Sequence, residues 1–155
     1  MSYHQLDIVA DSYIPLLLLT SVLFVIRDAH SQGFSKALTH ILILLSCITA
    51  AYSVMFFDLW LTLWPRVGMD YSTHTAVAWV FVVFLFKRTK TEKKINIIQS
   101  LVMVSMTAYL GLMCYQKYHT ALDLITTSLV VAPLFVVLNT INCWLPWSGN
   151  KNSIL

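Results

Sequence analysis

Two short segments of this 155-residue chain collect the side chains best able to do chemistry. WPRVGMDYSTHTA carries Arg66, Asp70, Ser72, Thr73 and His74, and QKYHTALD carries Lys117, His119 and Asp123. His119 and Asp123 stand four residues apart, which on a helix puts them on one face. A carboxylate that accepts a hydrogen bond from one imidazole nitrogen fixes the tautomer. The other nitrogen is then left as a nucleophile or base. A second histidine at a helix start, His74, could protonate a leaving oxygen. Free N–H groups at that helix start favour a phosphate, and an arginine fork such as Arg66 suits phosphate oxygens. Together these are the parts of phosphoryl transfer through a phosphohistidine, a chemistry that requires no metal or other cofactor. A plainer reading stands beside it: Ser72 or Thr73 caps a helix, and Asp123 sits near the positive end of another.

The elements that must position these residues are set by an extreme composition. The chain is 58% hydrophobic and only 11% charged, against about 25% charged in soluble domains. So little charge could not cover a soluble surface, and it excludes a disordered tail or a nucleic-acid-binding face. A lipid bilayer is the expected surrounding. Five apolar stretches are predicted as helices, at about 8–26, 37–57, 71–86, 97–115 and 121–145, since a helix satisfies its own backbone in lipid. Four reach the roughly 17–25 residues that span the hydrocarbon layer. The third is shorter, and Lys87 and Arg88 can snorkel at its end. The expectation is a single all-α domain over residues 1–155, an integral membrane bundle of about five transmembrane helices. No Lys or Arg precedes Arg27, so the first stretch reads as a retained helix rather than a signal peptide.

The basic residues orient this bundle. KRTKTEKK holds Lys87, Arg88, Lys90, Lys93 and Lys94, and Arg27, Lys36 and Lys151 fall on its side of a five-span chain. That side is expected to be cytoplasmic, with the N-terminus outside and the C-terminus inside. Both chemistry-bearing segments then share the non-cytoplasmic face, the periplasm if the membrane is a bacterial inner membrane. Trp60, Trp64, Trp144 and Trp147 lie near the proposed borders, where an amphipathic ring is favoured. Cys47, Cys114 and Cys143 lie in apolar runs without metal-ligand spacing and read as buried thiols. His30 and His40 fall on the cytoplasmic side, away from the polar segments, with His40 read as interfacial.

YSTHTA and YHTALD resemble the second and third signature motifs of the type 2 phosphatidic acid phosphatase superfamily, PSGH and HxxxD. Ser72 and His74 match the first of these, and His119 and Asp123 match the second. The similarity covers roughly Trp64 to Pro133 and extends to the sphingomyelin-synthase branch, whose third motif reads H-Y-T-x-D. By this resemblance His119 is the nucleophile, Asp123 orients it and His74 protonates the leaving group. Ser72 holds phosphate oxygens; Arg66, Asp70, Thr73 and Lys117, polar residues around these motifs, are the further candidate substrate contacts, although Asp70 has no counterpart in the family's motifs. The substrate implied is a lipid phosphate or prenyl diphosphate. Tyr71 and Thr73 replace the motif's proline and glycine, Met113 stands at the third motif's arginine, and the first motif's lysine has no counterpart. A lipid phosphotransferase, an inactive scaffold or immunity protein, and a haem protein ligated by His74 and His119 are the competing readings.

Overall fold

The computed structural model describes residues 3–89 and 95–144, and every regular element in them is helical. Helix α1 is Tyr3–Gln32, α2 Phe34–Leu61, α3 Thr73–Thr89, α4 Ile95–Tyr115 and α5 Ala121–Trp144; a single 3-10 turn covers Pro65–Val67. Four of them, α1, α2, α4 and α5, contain segments long and apolar enough to cross a membrane. Lys90, Lys93 and Lys94 lie outside the described residues, as do Leu145, Pro146, Trp147 and Lys151 and the side chains of Cys143 and Trp144.

Helix α3 organises the bundle. Its run TAVAWVFVVFLF has no polar stripe, and Ala76, Ala78, Val80 and the stretch Phe81 to Leu85 are all buried. A helix apolar on every side needs cover on every side. Accordingly α3 packs against all four other helices, with α4 also on α1, α5 also on α2, and α1 against α2. The outer helices keep broad exposed apolar faces, among them Leu16, Leu19 and Leu23 on α1 and Ile125 and Leu129 on α5. Such faces suit hydrocarbon rather than water. Pro15 and Pro133 lie inside α1 and α5 without ending them, as membrane helices tolerate.

The helices run further than hydropathy alone predicts. α1 extends about a turn or more beyond 8–26 at each end, α2 begins before 37 and ends after 57, and α3 runs from Thr73 through Thr89 rather than over 71–86. At the ends of α1 and α3 the extra turns are polar, and there Asp28 and Arg88 pair with one another. Gly33, at φ +91°, is the only residue between α1 and α2. That left-handed backbone suits glycine, and the reversal lays the end of α1 against the start of α2.

At that reversal Asp28 is fully buried. One oxygen lies 3.1 Å from His40 Nδ1 and the other pairs with Arg88 of α3. His40 also meets Phe84 edge-on at 5.9 Å. Two sequence expectations are corrected here. His40 is a partner in a buried ion cluster rather than an interfacial side chain. Lys87 and Arg88 do not simply reach for solvent: Lys87 Nζ donates to Val136 O and to Thr140 Oγ1 on α5, and Arg88 turns to Asp28. Trp64 is likewise no border anchor. It is buried, with its indole N–H donating to Thr126 Oγ1 at 3.2 Å, whereas Trp60 is exposed.

Removing one partner of a buried ion pair leaves desolvated charge behind and costs about 3–5 kcal/mol. Asp28→Ala is expected to lower stability on that scale in detergent unfolding. The triple change Asp28→Leu, His40→Leu, Arg88→Met, which removes the charges together, is expected to lose far less. Equal losses in the two proteins would show that packing, not charge, holds this end.

Candidate functional site

The helix directions bring the start of α1, the end of α2, the start of α3, the end of α4 and the start of α5 to one end of the bundle. Each connection there is tied by a side chain. Asp58, buried at the end of α2, accepts the Trp64 amide at 2.8 Å, and its carbonyl accepts the Thr62 amide in a left-handed closure. The ring of Tyr71 packs edge-on against Trp64 and its hydroxyl donates to Ala51 O at 2.9 Å. On the other side, Asp7 of α1 accepts Gln116 Nε2 at 2.6 Å and the Tyr118 hydroxyl at 3.2 Å. This last bond holds the Tyr118 phenol above its usual pKa, so it remains a donor through neutral pH.

Between these ties lies a cavity of about 160 Å³ lined by Ala10, Asp11, His74, Tyr109, Met113, Tyr118 and His119. Its volume accommodates a phosphoryl-sized group. His74 stands in the first turn of α3 and His119 in the turn before α5. The two histidines singled out in the sequence therefore face one space.

The remaining sequence candidates are placed differently. Asp123 is buried and both its oxygens are occupied: Oδ1 accepts the Asp70 amide at 2.8 Å, and Oδ2 accepts the Thr120 amide at 2.8 Å and the Thr120 hydroxyl at 2.7 Å. The expected hydrogen bond from His119 is absent because backbone N–H groups of the loop and of the α5 start have taken the carboxylate. The carboxylate nearest His119 is Asp70, whose Oδ2 lies 4.0 Å from Nδ1. That Nδ1 is itself buried and makes no hydrogen bond.

Ser72 is also corrected. It is fully buried, its hydroxyl bonds Thr75 Oγ1 at 2.9 Å and accepts the Thr75 amide at 3.3 Å, and its amide donates to Thr127 Oγ1 at 3.1 Å. It caps α3 and does not line the cavity. Thr73 is half-buried at the first position of α3. Arg66, on the 3-10 turn, and Lys117, in a left-handed turn at φ 59°, are exposed and outside the lining.

Asp11, Tyr109 and Tyr118 are lining residues that the sequence reading did not select. Asp11 had a usable signal, since a carboxylate inside an apolar helix points to a functional interior. The tyrosines had none, because aromatic residues are common throughout the chain. Tyr13 stacks on Tyr109 at 4.4 Å between ring centres and shares a hydrogen bond with Ser105; these contacts hold α1 against α4 beside the cavity.

No protein-family model, curated protein or solved structure matches this chain.

The bonds to Asp123 join the loop before α3 to the start of α5, and hydrogen bonds to a charged group contribute about 1.5–3 kcal/mol. Asp123→Ala is expected to lower stability by at least that amount, and Asp123→Asn, which keeps one acceptor oxygen, by less. Unfolding in mixed detergent micelles measures both. An unchanged midpoint in Asp123→Ala would mean that the two amides find other acceptors.

Proposed function

We propose that this chain is a membrane phosphatase that hydrolyses a lipid phosphate or prenyl diphosphate through a phosphohistidine. The observation that carries the reading is the convergence of His74 and His119, from helices distant in sequence, on one phosphoryl-sized cavity at one end of the bundle. The resemblance of YSTHTA and YHTALD to the phosphatidic acid phosphatase motifs supports the same assignment. His119 supplies the attacking nitrogen and His74 the proton for the leaving oxygen. Water then attacks phosphorus and His74 takes its proton. All five helices span the membrane in this reading, with the cavity and N-terminus on the non-cytoplasmic side and the C-terminus in the cytoplasm. In a bacterium the cavity faces the periplasm from the inner membrane.

A second reading, a non-catalytic membrane protein built on the same scaffold, is favoured by one specific feature. The cavity lining contains Asp11 but neither Lys nor Arg, and phosphate sites commonly supply a cation. A phosphotransferase would share the histidine chemistry and differ only in the acceptor, a lipid hydroxyl in place of water.

Purified protein in micelles is expected to release phosphate from phosphatidic acid, phosphatidylglycerol phosphate or undecaprenyl diphosphate, with activity surviving a chelator. His74→Ala is expected to slow turnover by about 10²–10⁴-fold, and His119→Ala to abolish both turnover and an acid-labile phosphoenzyme. Labelled phosphate appearing in a second lipid identifies the transferase. Absence of turnover and of phosphoenzyme, with His119→Ala indistinguishable from wild type in cells, leaves the non-catalytic reading.

Orientation is tested with an impermeant maleimide on a cysteine-free background. Arg66→Cys is expected to label in intact cells and Lys36→Cys only after permeabilisation. The reverse pattern inverts the topology.

A further inference from the structure

We infer that Asp70, rather than Asp123, is the carboxylate that positions His119. The inference rests on the phosphohistidine reading for its chemistry but on separate geometry for its assignment. Asp123 is within reach of the turn that carries His119, yet its oxygens accept three hydrogen bonds from Asp70 and Thr120. A carboxylate so engaged has little capacity left for an imidazole N–H. Asp70 is in the opposite condition. Its backbone amide is anchored by Asp123, while its side chain is 73% exposed and Oδ2 lies 4.0 Å from His119 Nδ1.

A hydrogen bond requires about 2.7–3.2 Å, and rotation of the exposed Asp70 side chain about an anchored backbone closes that gap. His119 Nδ1 is buried without a hydrogen bond, so it is a donor or acceptor still wanting a partner, and such groups are costly when left unsatisfied. Asp123 thus acts one step back, holding the residue that holds the histidine. The other polar groups around the cavity are Asp11 on α1, His74 on α3, Tyr109 on α4 and Tyr118 in the α4–α5 turn. Among them Asp11 is the one rival carboxylate.

With Nδ1–H donating to Asp70, Nε2 carries the lone pair. Its bond to phosphorus forms as the bond from phosphorus to the leaving oxygen breaks, and the proton of His74 passes to that oxygen. Asp70 remains a carboxylate throughout and opposes the positive charge of the phosphorylated ring. Water oxygen then bonds phosphorus, the Nε2–P bond breaks, and the water proton returns to His74.

Two readouts test this on the full chain in micelles. The first needs no substrate: nitrogen-15 spectra of the histidines, with the His119 signals assigned by loss in His119→Gln, under alkaline conditions where imidazoles are neutral. Wild type is expected to hold His119 with the proton on Nδ1. Asp70→Asn is expected to move the population toward the Nε2-protonated tautomer, Asp70→Glu to restore it, and Asp11→Asn to leave it in place. The second readout is turnover of the lipid phosphate: Asp70→Asn is expected to lower kcat by about 10–100-fold, the scale of lost orienting partners, with KM little changed and Asp70→Glu recovering most of the rate.

An unchanged tautomer in Asp70→Asn, or a change in Asp11→Asn instead, overturns the assignment. A tautomer change without loss of kcat overturns the positioning role. If wild type hydrolyses none of the lipids, the phosphatase reading fails separately, and the spectra still decide which carboxylate holds His119.

Discussion

The structure depends on enclosing one helix that has no polar side. α3 can be stable only where every face is covered, and the four longer helices exist in this arrangement around it. Enclosure fixes the rotation and depth of α3, because close-packed side chains such as Val80, Val82 and Leu85 leave no room to slide. His74, in its first turn, inherits that placement.

Each end of α3 is secured through a buried carboxylate, and the two carboxylates work in different ways. At one end Asp28 meets charged and ionisable side chains, drawing α1, α2 and α3 together. At the other, Asp123 meets neutral backbone amides, drawing the approach to α3 onto α5. Charge buried in a bundle must be answered by charge or by several hydrogen bonds, and this chain uses one solution at each end. The Asp123 end adjoins the cavity that His74 and His119 line. There the polar groups are not fully consumed: His74 is exposed and His119 Nδ1 lacks a hydrogen bond. Unspent polar capacity beside a cavity is what a binding or catalytic site requires, whereas the ion-paired cluster at Asp28 has the character of a fastening.

Much of the fold was legible in hydropathy, because helices in lipid must be long, apolar and internally bonded. The polar helix ends were not, since hydropathy scores Asp28, His40 and Arg88 as three separate charged or polar residues and carries no sign that they meet. At the site, His74 and His119 were legible as a pair, through their residue types and their places near the starts of two helices. The carboxylate that lies beside His119 was not legible, for a definite reason. A four-residue spacing brings Asp123 to the correct helix face, but spacing within one helix says nothing about amides arriving from another segment. Asp70 supplies such an amide, and it takes the oxygen that the spacing had assigned to the histidine. Ser72 was misjudged in the same way: its hydroxyl finds Thr75 and its amide finds Thr127 before any ligand can.

By itself, then, the sequence determined that the chain is helical, that four of its helices are long and apolar enough to span a membrane, and that two histidines open helices on the same side. These properties follow from local composition and from the periodicity of the backbone, which need no knowledge of neighbours. Tertiary structure alone decided which helix is central, which charges are buried and which carboxylate stands beside His119. Those outcomes depend on competition among donors and acceptors from distant segments, and that competition is settled only when the helices have packed.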